Sequence, residues 1–139
     1  MQVGKIHYFK NPQLFRKWLV KNHATQSSVW LLFYKKHTNK PTMTYQQALD
    51  EALCYGWIDG ILKSLGNEKH VIRFTPRRPN GIWSKYNLGH VRRLLRQSKM
   101  RAAGKKVLPK ALLQRLINNE EIKMSKKRAL TKKYGVRMY

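Results

Sequence analysis

Two runs near the middle of the chain concentrate side chains that could bind a small anion or a nucleotide. The first is ALCYGWIDG over residues 52–60, and the second is RFTPRRPNGIWSKYN over residues 73–87. Each run mixes large aromatic rings with glycine or proline and a few polar groups. Arginine guanidinium groups bind carboxylate or phosphate through paired hydrogen bonds, and an indole ring offers a face for stacking. The residue types therefore indicate an anion pocket, with a structural corner of the fold as the alternative.

The candidate ligand-binding residues come from both runs. An acid such as Asp59 would orient a ligand donor or act as a general base. The structural alternative is that Asp59 caps the turn before Gly60 or pairs with Arg73, and the many arginines of the chain favour this interpretation. Trp83, taken alone, is more typical of a core residue. The full candidate set is Trp57, Asp59, Arg73, Arg77, Arg78, Trp83, Ser84 and Asn87.

The charge balance of the chain indicates a polyanionic partner. Thirty lysines and arginines stand against six acids, which gives a net charge of +24. Residues 1–60 hold 8 basic and 3 acidic residues, whereas residues 61–139 hold 22 and 3. A field of this sign attracts nucleic acid, although a solvated lysine-rich surface also accounts for the composition. The predicted nucleic-acid contacts are Arg77, Arg78, Arg92, Arg93, Arg96, Lys105 and Lys106.

No other pattern indicates catalysis, a metal site or a cofactor. Cys54 is the only cysteine, which excludes an internal disulfide and fits a buried side chain better than a nucleophile. The five histidines are dispersed, without a carboxylate at metal-ligand spacing, and surface positions suit them best. Asp50 and Glu51 are consecutive, so on a helix they diverge by about 100° and do not form an acid and base pair. The sequence therefore favours a non-enzymatic protein without a cofactor, and leaves an enzyme as the alternative.

The first half of the chain predicts two helices on either side of a buried strand. Asn11 and the proline after it start a helix that runs to about Lys21. Residues 28–36 (SVWLLFYKK) read as a strand buried on both faces. Thr44 with a glutamine three residues later forms a capping box, and the helix that follows stops at Gly56.

The second half predicts a hairpin followed by basic helices. Residues 57–64 and 69–75 flank a Leu-Gly-Asn turn. Asn87 is the expected cap of a helix with a basic outer face, and residues 102–118 form a helix that Pro109 breaks or kinks. We therefore expect an α+β fold, a small β-sheet packed by helices, with a basic helical C-terminal segment.

No segment of the sequence predicts a membrane span. No apolar run approaches the roughly 20 residues that cross a bilayer, and residues 1–8 lack the apolar core of a secretory signal. We therefore expect a cytoplasmic protein whose partners are nucleic acid, another polyanion or a small anionic ligand.

Several motifs together resemble the YdeI/OmpD-associated family, whose members are often described as bacteriocin-protection proteins. The resemblance covers about residues 8–110. It rests on Trp18-Leu19, Val29-Trp30-Leu31 with Lys35-Lys36, the ALCYGWIDG and RFTPRR runs, Ile82-Trp83-Ser84-Lys85 with Asn87, and Met100 with Ala103-Gly104. The family positions include Trp57, Asp59, Arg73, Pro76, Arg77, Trp83, Ser84 and Asn87.

The resemblance implies a small cytoplasmic α+β protein linked to stress or bacteriocin resistance, without a settled catalytic activity. It divides the chain into a family-like domain over residues 1–110 and a basic helical or flexible extension over residues 111–139. Many relatives continue with an alanine-rich helical segment, whereas this chain ends in lysine-rich sequence.

Overall fold

The fold is a four-stranded sheet with helices, an α+β arrangement as the sequence predicts. The computed structural model describes residues 2–79 and 81–119. The elements in chain order are β1 (Ile6–His7), α1 (Pro12–Asn22), β2 (Val29–Tyr34), a 3-10 turn (Lys36–Thr38), α2 (Tyr45–Cys54), β3 (Trp57–Ser64), β4 (Lys69–Pro76), α3 (Lys85–Arg96) and α4 (Ala102–Lys106). A further helical stretch covers residues 110–119.

The strand order is β1-β2-β4-β3, with β1 parallel to β2 and the other pairs antiparallel. β2 is central, and its continuous apolar sequence serves both faces of the sheet. Leu31 and Phe33 join the main core, whereas Trp30 and Leu32 pack with Val71 on the opposite face. The prediction of a strand buried on both faces is therefore confirmed. The two-residue β1 was not predicted, because so short a strand has no periodicity.

The main core lies between one face of the sheet and the helices. Its largest fully buried side chains include Trp57 of β3, Phe74 of β4 and Phe15 of α1. Later parts of the chain also contribute, since Leu116 is 1% exposed and belongs to the same core. Residues 111–119 therefore pack as part of the fold, and the rest of the predicted extension lies outside the described residues.

Local hydrogen bonds begin the helices largely where the sequence predicts. Asn11 caps α1, and the complete Thr44 capping box starts α2. At α3 the prediction was one turn late. The cap is Ser84, whose Oγ accepts from the backbone nitrogen of Asn87 at 3.1 Å, so Asn87 lies inside the first turn.

The predicted hairpin and the predicted helix break are both confirmed. β3 and β4 pair around a turn in which Gly66 has φ +100°, and the register shifts between Asp59 and Leu62. Pro109 separates α4 from the helix over residues 110–119. Within the described ranges, no helix is long and apolar enough to cross a membrane.

Candidate functional site

The first run forms the joint between α2 and the sheet. Trp57 is 1% exposed, packs edge-to-face on Trp18 with ring centroids 5.6 Å apart, and donates from Nε1 to the His23 carbonyl at 3.2 Å. A ring that is enclosed in this way has no face left for a ligand, so Trp57 is a core residue rather than a ligand contact.

Two glycines allow the backbone of this joint to approach α4. Gly56 has φ +76°, which only glycine adopts readily, and a Cβ there would lie 2.7 Å from the Ala103 carbonyl oxygen. A Cβ on Gly104 would lie 2.5 Å from the Cys54 carbonyl oxygen. Close backbone packing therefore explains why glycine is present at positions 56 and 104.

Asp59 accepts a hydrogen bond from the Tyr45 hydroxyl at 2.7 Å. The predicted pairing with Arg73 is wrong, because the two residues lie on opposite faces of the sheet. Asp59 stands opposite Phe74, a residue of the main core, whereas Arg73 stands opposite Trp30 on the other face. Paired residues of adjacent strands share a face, and successive residues of one strand alternate.

The hydroxyl of Tyr45 stays protonated at neutral pH. Burial, and then its hydrogen bond to Asp59, raise the pKa of Tyr45 above its ordinary value. The contact is therefore a phenol donating to a carboxylate, which joins the start of α2 to β3.

In the second run Arg77 and Trp83 form a stacked pair. The Arg77 guanidinium carbon lies 3.8 Å from the Trp83 ring centroid, and Nη2 donates to the Ile82 carbonyl. Arg77 Nε and Trp83 Nε1 are buried donors that find no acceptor among the described residues. Burial lowers the pKa of Arg77 from its ordinary value.

A cavity of about 290 Å³ lies beside this loop, lined by Arg77, Arg78 and Ile82 among others. Neither Asp59 nor Trp83 lines it. The structure therefore brings Arg77 together with Trp83 and with Arg78, but it does not join Asp59 to them. Ser84 serves as the cap of α3.

Two adjacent acids on α2 hold the flanking helices. Glu51 accepts from Arg16 of α1, with Arg16 Nε and Nη2 both 2.8 Å from a carboxylate oxygen. Asp50 accepts from Arg93 Nη2 of α3 at 2.7 Å, and His90 Nδ1 also lies 2.7 Å from it. The two acids diverge by about 100° around α2, so they do not form an acid and base pair, and each contacts a different helix.

These contacts correct two predictions. Arg93 is engaged with Asp50 rather than being a free outward cation, and His90 is an internal partner rather than a surface histidine. His70 is also partly buried, because its ring stacks on Phe33 with centroids 5.4 Å apart. The scarcity of acids could have indicated these contacts, because basic residues far outnumber acids and each acid has many possible partners.

The remaining predicted cations are all exposed, and together we call them the basic surface: Arg78, Arg92, Arg96, Lys105 and Lys106. The segment from Lys69 to Asn119 contains fourteen lysines and arginines and no acid. Among the described residues, Arg93 and His90 of this segment both contact the Asp50 carboxylate.

No group of histidine, cysteine and acid residues in the described part of the chain could hold a metal ion. Cys54 is buried, and burial raises the pKa of its thiol to about 12, so the thiolate form is suppressed at neutral pH. Cys54 is therefore a packing residue.

The fold and these sites define a small α+β protein with a strongly basic second half. The chain belongs to the family described as a domain of unknown function (DUF8412), whose family model matches residues 7–107. The match runs from β1 to just beyond α4 and includes both runs. No curated protein and no solved structure gives a significant match.

Proposed function

We propose that the protein is a non-enzymatic binder of polyanions, and that its principal ligand is nucleic acid. The observation that carries the proposal is the acid-free segment from Lys69 to Asn119 with its fourteen basic residues. Cations that have no neighbouring carboxylate keep their attraction for phosphate, and their contacts release counterions from the nucleic acid.

The basic surface defined above supplies the contacts. Its members are exposed and come from the loop after β4, from α3 and from α4. Contacts of this kind reach phosphate oxygens, which carry no base identity, so binding is expected to be insensitive to sequence. Arg77 and Arg93 add to the positive electrostatic potential but do not contact phosphate directly, because their guanidinium groups already contact Trp83 and Asp50.

A salt titration with paired variants tests this function. The double variant Lys105→Gln/Lys106→Gln should weaken duplex binding by about tenfold at low salt and lower the slope of log K against log salt by about 1 to 2. The control is Lys17→Gln/Lys21→Gln on α1, which removes the same charge from exposed positions in the first half.

The outcome is measured by fluorescence anisotropy with labelled duplex and single strand. The control variant should keep the wild-type salt slope. An affinity that stays flat from low to moderate salt, or an equal loss in both double variants, would contradict the proposed basic surface.

The proposal extends to the location and the cellular role of the protein, which rest on the sequence resemblance. We infer a cytoplasmic location, and a role in stress or bacteriocin resistance as in the YdeI/OmpD-associated family. Fractionation of the native host with an antibody to the protein tests the location. Survival of a deletion strain exposed to bacteriocin or osmotic stress tests the role, and unchanged survival would count against it.

A further inference from the structure

A second cavity lies at the opposite end of β2, away from the basic surface. Its volume is about 620 Å³, within the range of about 300–1,000 Å³ typical of small-molecule sites. It is open to solvent on one side and is lined by the end of β2, by the chain that leads from β2 into α2, and by one residue of β4. Its lining includes Phe33, Tyr34, Lys36, Lys40, Tyr45 and His70.

The walls of this cavity are aromatic. The His70 ring stacks on Phe33, with centroids 5.4 Å apart and planes inclined by 12°. Phe33 is only 3% exposed, so His70 is the ring of this pair that a ligand can reach. Tyr34 and Tyr45 add two further rings. Accessible aromatic rings stack on planar heterocycles, as they do in proteins that bind single-stranded nucleic acid.

The charged residues of the lining are both lysines. Lys36 and Lys40 are exposed, and Lys40 Nζ lies 4.8 Å from the Tyr34 ring centroid. Among the residues that the structure describes, no acid lines the cavity. Burial, followed by the charge of Lys35, lowers the pKa of His70, so its imidazole is neutral at pH 7 and offers both a hydrogen-bond donor and an acceptor.

The walls are held in place by contacts outside the cavity. The Tyr45 hydroxyl donates to Asp59, and the Tyr8 hydroxyl donates to the carbonyl of Pro41. Asn39 adopts the left-handed conformation, with φ 58°, at the end of the 3-10 turn. A preformed site loses little conformational entropy on binding. Asp59 thus acts as a positioning residue for an aromatic wall.

We propose that this cavity binds a planar aromatic base that carries a phosphate, with the base stacked on an accessible ring of its lining (His70, Tyr34 or Tyr45) and the phosphate near Lys36 and Lys40. The same chemistry is present in a free mononucleotide and in one unit of a single strand. This inference does not rest on the proposed function, because no residue of the basic surface lines the cavity.

The test compares three probes by isothermal titration calorimetry on the full chain. AMP supplies both the base and the phosphate, adenosine lacks the phosphate, and ribose 5-phosphate lacks the base. AMP should bind saturably and at least about tenfold more tightly than either fragment. Equal affinities for AMP and ribose 5-phosphate, or no saturable AMP binding, would overturn the proposal.

Variants assign the binding to this cavity. Lys36→Gln and Lys40→Gln should each weaken AMP by about tenfold, while Lys17→Gln on α1 should not. In the NMR spectrum AMP should shift the ring resonances of His70 and leave the Trp83 indole unchanged. Unchanged affinity in both cavity variants, or a shift of Trp83 without one of His70, would overturn the assignment.

A competition arm identifies the source of the ligand. If a short single-stranded oligoadenylate displaces AMP and shifts His70, the cavity accepts a unit of a strand. If AMP binds and the oligomer does not displace it, the cavity is specific for free nucleotide. Both results support the same recognition chemistry, and both are independent of the salt slope that tests the basic surface.

Discussion

The scarce carboxylates of this protein are engaged in contacts between elements. In the described part of the chain, three acids accept hydrogen bonds from side chains on another element, and the pairs are Asp50–Arg93, Glu51–Arg16 and Asp59–Tyr45. A partly buried carboxylate needs such donors, because its desolvation is costly when it has none. At this scale, Asp59 is explained by its position behind an aromatic wall rather than by direct chemistry.

Tyr45→Phe should lower the free energy of unfolding by about 1–3 kcal/mol, because it leaves the Asp59 carboxylate partly buried without its donor. Tyr86→Phe is the matched control. The residue is 53% exposed, so loss of its hydroxyl should change the free energy of unfolding by no more than about 0.5 kcal/mol. Urea denaturation at pH 7 measures both, and equal stabilities of the two variants would contradict the role of the contact.

The same contact has a defined pH dependence. The pKa of Tyr45 is raised in the folded protein, so its stabilisation is fully present below the unfolded pKa of about 10. It is lost progressively as the pH rises above that value. The difference between wild type and Tyr45→Phe should therefore narrow in alkaline solution.

At the scale of elements, the joint between α2 and α4 depends on close backbone approach. The carbonyls at the end of α2 face the position where a Cβ on Gly104 would lie, 2.5 Å from Cys54 O and 2.6 Å from Leu53 O. Backbone atoms cannot move aside as a flexible side chain does, so a larger residue must separate the two helices.

Gly104→Ala should destabilise the protein by about 1–3 kcal/mol through this clash. Gly89→Ala on α3 is the control, since apart from its chain neighbours and its own helix backbone nothing lies within 4 Å of its Cβ position. Alanine is the better helix former by about 0.5–1 kcal/mol, so the control should be stabilising. Thermal unfolding followed by circular dichroism compares the two, and a sign that is the same for both would contradict the packing argument.

At the scale of the whole molecule, the net charge of +24 opposes compaction. Added salt weakens ion pairs such as Arg16–Glu51 and Arg93–Asp50, but it weakens the mutual repulsion of many more cations. Repulsion among like charges is therefore the larger of the two effects.

The melting temperature should rise as sodium chloride increases from low to physiological ionic strength, where the Debye length falls to about 8 Å. Differential scanning calorimetry on protein freed of nucleic acid measures this. A melting temperature that falls with salt would mean that the ion pairs outweigh the repulsion.

Local features, which depend on neighbouring residues, could be predicted from the sequence. The cap at Asn11, the capping box at Thr44, the hairpin turn at Gly66 and the break at Pro109 follow from backbone preferences and short-range hydrogen bonds, and the structure has them all. The α+β class followed from these elements together. The basic second half was likewise a matter of composition.

Contacts between side chains that are distant in sequence could not be predicted and depend on the tertiary structure. Strand register set Asp59 and Arg73 on opposite faces, and helix packing placed Arg93 on Asp50. The aromatic cavity was not predicted, because its walls come from separate parts of the chain, including Phe33 and His70. Such contacts join residues distant in sequence, so no local pattern encodes them, and only the pairing of strands and helices brings them together.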